Sequence, residues 1–222
     1  MLNVILAESS LELIPKIIQK HSSVISYSKK FNKSTSELLL DISWHFAAMK
    51  GLKNEIKRGR PDLIHITLLS LCTSPAFFRN KLRIYVHTLD DKVISINNET
   101  RLPKSYHRFQ GLIEKLFLKG KIESENQKLM EITDMNISEL LLKIKPSRVI
   151  GLTTQGKKTN LENLISKISD NSCIIIGGFQ KGHFNEETQK NLQEKFSINE
   201  NSLESHIVAS RLVYEYEKTI FI

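Results

Sequence analysis

Short runs of β-branched and other apolar residues alternate along this chain with longer stretches of helical periodicity, and this alternation restricts the possible folds more than any other feature. A first run, NVIL, lies at residues 3–6, and two more, SRVIGLTT and SCIIIGGF, lie late in the chain. Strands that alternate with helices usually pair in parallel, because each helix carries the chain back to the starting end of the sheet. The sequence therefore predicts an α/β fold in which helices flank a parallel sheet.

Several stretches predict the helices that cover this sheet. Residues 37–52 carry apolar side chains at spacings of three and four, and residues 34–36 supply possible N-caps. The stretch RGRPDLIHITLLSLCTSP begins a second helix at Pro61 and Asp62, because proline and a carboxylate are both favourable in a first helical turn. The same periodicity predicts further helices at residues 106–118, 161–168 and 203–221.

The middle of the chain predicts a β-hairpin followed by a loosely ordered connection. The segment KLRIYVHTLDDKVISI alternates polar and apolar residues around Asp90 and Asp91, which is typical of two strands joined by a turn. The acidic, Asn-rich residues 122–137 lack such a pattern, and we expect them to form a mobile connection. The composition does not mark a domain boundary there, so residues 1–222 are expected to form a single domain.

The chain carries an excess of positive charge, with 32 Lys and Arg against 24 Asp and Glu and a formal net charge of +8. Such an excess favours a polyanionic partner, although many lysine-rich proteins carry theirs as a solvated face. One of two clusters also contains aromatic residues, which suit unpaired bases because a ring stacks on any base. The first cluster consists of Lys50, Lys53, Lys57, Arg58 and Arg60, and the second of Arg101, Lys104, His107, Arg108, Lys115, Lys119 and Lys121, with Tyr106 and Phe109 interleaved.

The cysteines and the hydropathy of the chain bear on its compartment. Cys72 and Cys173 are far apart, lie in apolar surroundings and show no CxxC spacing, so we expect buried free thiols rather than a disulfide or a metal site. No segment approaches the roughly 18 consecutive apolar residues of a membrane helix, and the first residues do not resemble a signal peptide. We therefore expect a soluble intracellular protein that has no membrane association and no bound metal.

Glycines follow both late strands, as they do in many small-molecule sites but also in simple tight turns. GLTTQGKK places Gly151, Gly156 and Lys157 at P-loop spacing, but Lys158 stands where a P-loop needs Ser or Thr for Mg²⁺. A GxGxxG dinucleotide motif after the first strand is missing as well. Loops that follow parallel strands converge at one edge of the sheet, and here they offer backbone groups and few carboxylates. This combination favours an adenosine with a sulfonium over a triphosphate with its metal.

Five segments of this chain lie in an order and at spacings that are typical of one protein family. They are VILAESSLELIP, RPDLIHITLL, TRLPKSYHRFQGLIEKL, IIIGGFQKGHF and FSINENSLESHIVASRLVYEYE, which together extend over nearly the whole chain. The chain resembles the small-subunit ribosomal RNA pseudouridine N1-specific methyltransferase family, a branch of the SPOUT class. Its compact length is most similar to that of archaeal members. Several motifs in register are far more specific than a glycine pattern alone.

The resemblance implies a homodimer of one SPOUT-like domain, with a hairpin insertion and a basic RNA-binding helix at about 82–119 and a C-terminal trefoil knot within about 148–222. It implies S-adenosylmethionine as the cofactor, held by backbone and apolar groups in the knot, and no metal. Two residues depart from the pattern, since many relatives have Asp in place of His183 and Pro in place of Ser202. The residues carried over as cofactor contacts are Leu152, Thr153, Ile176, Gly177, Gly178, Gly182, Ser197, Ile198 and Leu203.

The implied reaction is methylation of N1 of a pseudouridine in small-subunit ribosomal RNA during ribosome biogenesis. Asp62 is our candidate for orienting or accepting the N1 proton, with Arg60 holding a phosphate or stabilising charge on the ring. A simpler interpretation is that Asp62 only stabilises a helix start and pairs with Arg60. The target base must be unpaired or flipped out, because N1 is out of reach in a stacked helix. The expected RNA contacts are Arg60, Arg101, Lys104, Tyr106 and Arg108.

Other noticeable side chains receive structural or peripheral roles. Trp44 and His45 are assigned to packing, His65 to the polar side of its helix, and His107 to a phosphate or solvent contact. The alternative function is an RNA-binding ribosome assembly factor in which methyl transfer is dispensable. Either protein would work in the cytoplasm, or in the nucleolus if the source is eukaryotic.

Overall fold

The computed structural model describes residues 1–125 and 127–221, which form a mixed sheet of eight strands with helices on both faces. The strands are β1 (Leu2–Ser9), β2 (Leu82–Thr88), β3 (Lys92–Ile96), β4 (Lys121–Ser124), β5 (Gln127–Asp134), β6 (Val149–Lys158), β7 (Cys173–Gly177) and β8 (Glu194–Ser197). The helices are α1 (Ser22–Phe31), α2 (Ile42–Met49), α3 (Pro61–Cys72), α4 (Pro75–Phe78), α5 (Tyr106–Lys119), α6 (Ile137–Ile144), α7 (Leu161–Ile165), α8 (Glu186–Lys190) and α9 (Ser205–Phe221).

The sheet is parallel in one half only. Its strand order is β4-β5-β3-β2-β1-β7-β6-β8, and all neighbours from β2 to β8 run parallel. Beyond β2, the strands β3, β5 and β4 are added antiparallel. The prediction of a parallel sheet is therefore confirmed for the half that carries the late glycines and wrong for the other, while the predicted hairpin is confirmed as β2 and β3.

Strand β1 lies in the middle of the sheet and is buried on both faces. Val4 and Leu6 belong to the larger core, which includes side chains of α3, α5 and α9, whereas Ile5 and Ala7 pack with α6 on the opposite face. Successive residues of a strand point to opposite faces, so a central strand needs an uninterrupted apolar run. This requirement explains why the strand is apolar at the consecutive positions 4–7.

Residues 122–137 contain regular structure, and the prediction of a mobile connection there is wrong. Apart from position 126, which lies outside the described residues, this stretch forms most of β4 and the whole of β5, which pairs with β3. Among the side chains of these two strands, Ile122 and Met130 are buried, and the others are exposed or half-buried. Because so few side chains are buried, the alternation in the sequence is too weak to reveal the hairpin.

The helix predicted at residues 37–52 is shorter than expected. Its N-cap is Asp41, whose Oδ1 accepts a hydrogen bond from the backbone N–H of Ser43 at 2.9 Å, rather than one of residues 34–36. The apolar residues 38–40 before it are buried without being helical, and Leu39 bridges to Leu13. Apolar spacing alone does not separate a helix from a short buried extended segment.

The other predicted helices are confirmed within a few residues, as α3, α5, α7 and α9. Both cysteines are buried free thiols, and burial raises the pKa of each to about 12. No described helix has the length and apolar character that crossing a bilayer requires. Within residues 1–125 and 127–221, no three His, Cys, Asp or Glu side chains are grouped closely enough to hold a metal ion.

Candidate cofactor cavity and the adjoining basic surface

A cavity of about 390 Å³ lies where β6 and β7 end their pairing, next to the segment that joins β8 to α9. Its volume is within the range of small-molecule sites, and its position at the carboxyl edge of parallel strands is the one predicted for the glycine loops. Eight of the nine residues expected to contact a cofactor line it: Leu152, Thr153, Ile176, Gly177, Gly182, Ser197, Ile198 and Leu203.

The cavity wall consists largely of backbone and apolar side chains. Leu63 of α3 and Val208 of α9 contribute apolar surface, and Ser205 fixes the start of α9 by donating its Oγ hydrogen to the Gly177 carbonyl at 2.5 Å. Glu204 is the one carboxylate among the described lining residues. A single carboxylate is a poor basis for a Mg²⁺ and triphosphate site, which agrees with the rejection of a P-loop.

The two glycines at the end of β7 have different surroundings. Gly177 lines the cavity, and a Cβ there would lie 3.0 Å from the ring of Phe179, another lining residue. Gly178 is not among the lining residues, and a Cβ there would lie 2.2 Å from Oγ and 2.8 Å from Cα of Ser9. The N–H of Gly178 donates to the Ala7 carbonyl at 2.8 Å. Gly178 therefore permits β7 to continue its close pairing with β1 just beyond the cavity.

A buried ion pair fixes the loop that follows β7 and lines the cavity. No pattern in the sequence revealed this pair. Glu8 and Lys57 form this pair, and both side chains are almost fully buried. The Lys57 ammonium also donates to the His183 carbonyl at 2.5 Å and lies 4.5 Å from the centre of the Phe179 ring. The second oxygen of Glu8 accepts from the N–H of Asn185 at 2.8 Å. The pair therefore fixes three points of one loop.

The local backbone explains how Glu8 comes to point at this loop. Its φ is 53°, and the pairing of β1 with β2 shifts register between Leu6 and Ser9, as in a β-bulge. Gly182, with φ at 105°, packs over the Lys57 side chain, and a Cβ there would lie 3.3 Å from Cε of that lysine. No local sequence pattern links these residues, because about fifty positions separate Glu8 from Lys57 and many more separate both from the loop.

Arg60 reaches the cavity from the start of α3 and is ion-paired with Asp62. Its Nε donates to Oδ1 and its Nη2 to Oδ2, both at 2.8 Å. Partial burial opposes ionisation of Asp62, but the hydrogen bonds and charge of Arg60 outweigh it and lower the pKa of this carboxyl. The two predicted catalytic residues thus lie together beside the cavity, with Asp62 as a carboxylate at neutral pH.

A buried polar cluster connects this region to α5. Tyr106 donates its hydroxyl hydrogen to Oδ2 of Asp41 at 2.5 Å. Burial, this hydrogen bond and the charges of Asp41 and Asp62 raise the pKa of Tyr106, so its hydroxyl stays protonated. The backbone N–H of Asp41 donates to Nδ1 of the buried His45 at 3.0 Å, and burial lowers the pKa of that imidazole. His45 is a packing residue as predicted, and Tyr106 lies between Asp41 and α3, with its ring 6.0 Å from that of His65.

Two side chains lie in surroundings other than those expected. His65 is 3% exposed, so its assignment to a polar face is wrong: Nε2 lies 2.8 Å from the Pro103 carbonyl and the ring stacks on Phe109 with centroids 4.3 Å apart. Trp44 is 45% exposed, so its assignment to packing is wrong for nearly half of its surface. Tertiary contacts determine the exposure of both side chains, because α5 covers His65 and does not cover Trp44.

The second basic cluster forms an exposed surface around the start of α5. In the first cluster, three of the five cations form ion pairs within the chain. Arg101, Lys104, His107 and Arg108 are all exposed, and the Arg101 guanidinium lies 4.7 Å from the centre of the Phe78 ring. In the first cluster, Lys50 and Lys53 are exposed, while Lys57 pairs with Glu8, Arg58 with Glu12 and Asp90, and Arg60 with Asp62.

Comparisons with known proteins agree with this arrangement. The model of the EMG1/NEP1 methyltransferase family matches residues 4–217. A relative from Staphylothermus marinus, named Ribosomal RNA small subunit methyltransferase Nep1, is 40% identical over 96% of this chain and 93% of its own length. The protein of the same name from Sulfurisphaera tokodaii is also 40% identical, over 96% of this chain and 94% of its own length.

A solved structure shares the fold. The crystal structure of Archaeoglobus fulgidus Nep1 bound to S-adenosylhomocysteine matches with a TM-score of 0.89 and 35% identity over 98% of both chains. That ligand is what S-adenosylmethionine becomes after it loses its methyl group, in agreement with the expected cofactor. The resemblance drawn from five sequence segments is therefore confirmed, and the chain belongs to the EMG1/NEP1 methyltransferase family.

Proposed function

We propose that this chain transfers a methyl group from S-adenosylmethionine to N1 of a pseudouridine in a loop of small-subunit ribosomal RNA, as a step in ribosome biogenesis. The observation that carries the proposal is the continuity of two surfaces. Arg60 lines the cavity and pairs with Asp62 at the start of α3, and His65 of the same helix has its ring 6.0 Å from that of Tyr106, the first residue of the basic helix α5. The names of the S. marinus and S. tokodaii relatives support the RNA substrate, and the ligand of the A. fulgidus protein supports the cofactor.

The cavity residues fit S-adenosylmethionine, which supplies an electrophilic methyl group when it is bound. Leu152, Ile176 and Leu203 would hold its apolar parts, and Gly177 leaves space for a close approach to the chain. Lys181 and Glu204 carry opposite charges on the cavity wall. They suit the carboxylate and the ammonium group of the methionine portion, as charge-assisted hydrogen bonds would.

Asp62 and Arg60 would prepare the target base for reaction. N1 of a pseudouridine carries a hydrogen that must leave as the bond to the methyl carbon forms, and the Asp62 carboxylate can accept a hydrogen bond from it. The lowered pKa of Asp62 makes it a weak base, so it would orient N1 while water takes the proton. Arg60 would stabilise the negative charge that then develops on the ring carbonyl oxygens.

The exposed cations around α5 would bind the RNA. Arg101, Lys104 and Arg108 are exposed and would contact phosphates, and such contacts hold the loop without reading its sequence. Tyr106 would flank the flipped base, since its hydroxyl is fixed by Asp41 and its ring is half-buried. A rigid aromatic edge at this place limits how the base can enter.

We further propose a homodimer and a trefoil knot within about residues 148–222. The path of the chain supports the knot: β8 pairs with β6, and the next segment crosses to β7, where Ser205 contacts Gly177. Sedimentation equilibrium tests the dimer, because a mass of 25.5 kDa, that of one chain, would rule it out. With ribosomal RNA as substrate, the protein would act in the cytoplasm, or in the nucleolus of a eukaryotic cell.

Calorimetric titration tests the cavity. We expect S-adenosylmethionine to bind at one site per chain, and ATP with Mg²⁺ to give no heat of binding. The reverse result would require residues 151–157 to be interpreted as a degenerate P-loop and would remove the basis for methyl transfer.

Methyl transfer to synthetic RNA tests the substrate. Two hairpins would be compared that differ at one loop position, which is pseudouridine in one and uridine in the other. Uridine N1 is bonded to the ribose and has no hydrogen to exchange, so we expect the methyl group in the pseudouridine hairpin alone. Equal incorporation into both would contradict N1 as the acceptor, and mass spectrometry of the released nucleosides would identify the modified base.

A further inference from the structure

A long segment around α1 is basic and contains no acidic residue of its own, although Lys33 at its end pairs with Glu114 of α5. Residues 13–36 contain no Asp or Glu but five lysines: Lys16, Lys20, Lys29, Lys30 and Lys33. Helix α1 lies within this segment and exposes Lys29 and Lys30 in its last turn. The proposed function described above makes no use of this surface.

The tryptophan of α2 lies against one of these lysines, Lys30, with much of its side chain open to solvent. Trp44 is 45% exposed, although a tryptophan ring gains more than most side chains from burial. The Lys30 ammonium lies 4.2 Å from the ring centre, and the buried ring of Tyr27 lies 5.1 Å from it. Tyr27 thus packs against the indole of Trp44 from the buried side. On the solvent side, the ring is in contact with the flexible side chain of Lys30.

Contacts join this surface to the proposed RNA surface on α5. Phe31, the last residue of α1, has its ring 6.0 Å from that of His107, which is exposed next to Arg108. Asp41, the N-cap of α2, accepts the hydrogen bond of Tyr106. The exposed face of α1 and α2 therefore borders the place where the target base would lie.

We propose that Trp44, Lys29 and Lys30 bind a single-stranded nucleotide adjacent to the target nucleoside in the RNA loop. This inference rests on the proposed function, because it assumes that the target base lies beside Tyr106. The indole stacks on the neighbouring base, which any base permits, and the two lysines contact phosphates. Lys30 leaves the ring readily, since an exposed cation–π contact is weak, and its ammonium gains a phosphate in exchange.

The charge of this surface favours RNA over a second copy of the chain. A symmetric contact uses the same patch on both copies, so Lys29 and Lys30 of one copy would face those of the other. Such like-charge contacts are unfavourable, and residues 13–36 contain no carboxylate to offset them. An RNA strand instead brings one negative charge with every nucleotide.

Intrinsic fluorescence tests this proposal directly, because Trp44 is the single tryptophan in the sequence. The full-length protein would be titrated with a hairpin that has a pseudouridine in its single-stranded loop and fluorescein on its stem. We expect Trp44 emission to be quenched with the same midpoint as the rise in fluorescein anisotropy. A matched hairpin with abasic sites on both sides of the pseudouridine should bind more weakly and quench less. Unchanged emission at saturation with the first hairpin would overturn the proposal.

Three variants separate stacking from general attraction. Trp44→Ala should weaken binding of the hairpin by roughly 5- to 150-fold, whereas Trp44→Phe keeps a ring and should weaken it far less. The double variant Lys29→Gln/Lys30→Gln should reduce the slope of log affinity against log salt by about 1.4, which corresponds to two lost phosphate contacts on a single strand. The control is Lys16→Gln/Lys20→Gln, which removes the same charge from exposed lysines before α1. Equal slopes for the two double variants would overturn the proposal.

Parallel measurements keep this inference distinct from the proposed function. If the wild type methylates the hairpin and Trp44→Ala binds it with full affinity, the inference is wrong and the proposed function stands. If the wild type binds and is quenched but transfers no methyl group, the proposed function is wrong. A Trp44→Ala variant that changes the sedimenting mass of the protein, with RNA affinity unaltered, would show that this face joins two copies and would overturn the inference.

Discussion

Arg60 and Asp62 meet through two parallel hydrogen bonds of 2.8 Å across Pro61, at the point where α3 begins. Proline starts the helix and places the carboxylate in the first turn, where the helix dipole favours it. Arg60 is still outside the helix and turns back onto this carboxylate. A bidentate pair fixes the planes of both groups, so three consecutive residues define the geometry at the edge of the cavity.

Replacement of Asp62 by Asn should abolish most methyl transfer and leave ligand binding intact. The amide has the same shape but lacks the charge that would align the N1 hydrogen, and we expect a rate loss of roughly 10²-fold from the lost alignment. Single-turnover methylation of the pseudouridine hairpin measures this loss, with calorimetry and anisotropy as controls for cofactor and RNA affinity. A normal rate in Asp62→Ala would refute the role of Asp62. It would leave the carboxylate as a helix-start residue only.

The same pair predicts a dependence of stability on pH. Because the folded pKa of Asp62 lies below its usual value of 3.8, the ionised group stabilises the fold above that value, and this contribution is lost as the pH falls through the lower folded pKa. Urea denaturation of wild type and Asp62→Asn should therefore differ near neutral pH and converge in acid. A difference that stays constant from neutral to strongly acid pH would show that charge is not its origin.

The two glycines of β7 should respond differently to alanine. Gly177→Ala forces the Phe179 ring to move by a few tenths of an ångström, so we expect weaker binding of S-adenosylhomocysteine and a small change in melting temperature. Gly178→Ala would drive a methyl group into Ser9, whose backbone cannot yield, and overpacking of this kind costs about 1–3 kcal/mol or more. Calorimetry and thermal unfolding of both variants would show the contrast. If Gly177→Ala and Gly178→Ala lost the same stability, the two glycines would not have the different roles assigned to them.

Lys57→Met should weaken both the fold and ligand binding in the proposed cofactor cavity. Removing one partner of a buried ion pair costs roughly 3–5 kcal/mol, because Glu8 would be left buried with a charge that has lost its cation. The double variant Glu8→Gln/Lys57→Met removes that charge and should regain part of the stability. It still lacks the contact to the His183 carbonyl, so its affinity for S-adenosylhomocysteine should remain low.

The exposed Lys53→Met serves as the control for the loss of a positive charge. If the double variant binds S-adenosylhomocysteine as tightly as the wild type does, the ion pair stabilises the fold and does not position the loop.

Sequence patterns predicted the structural features that are determined by residues close together along the chain. The helix start at Pro61 and the turn at Asp90 and Asp91 both follow from local rules. Gly151 and Gly156, which were expected to follow a strand, instead lie within β6. The β4–β5 hairpin was not predicted, because its shallow packing leaves most of its residues polar. The contact between Lys57 and His183 spans 126 positions and belongs to the tertiary structure alone.

The residues expected around the cofactor came from the resemblance, since their order along the chain does not show which of them share a cavity. Likewise, the acid-free segment at residues 13–36 is visible in the sequence. The exposure of Trp44 beside it is not.

The central place of β1 has a consequence for the synthesis of this protein. Its two neighbours in the sheet, β2 and β7, follow it by about 80 and 170 residues. While the ribosome is still translating the second half, β1 therefore has an apolar edge with no partner, which is a hazard for aggregation. The cavity also needs Glu8 from the first strand and lining residues up to Val208. A nascent chain cannot assemble a working site until almost all of it has been translated, so chaperone protection should matter most in the interval before β7 emerges.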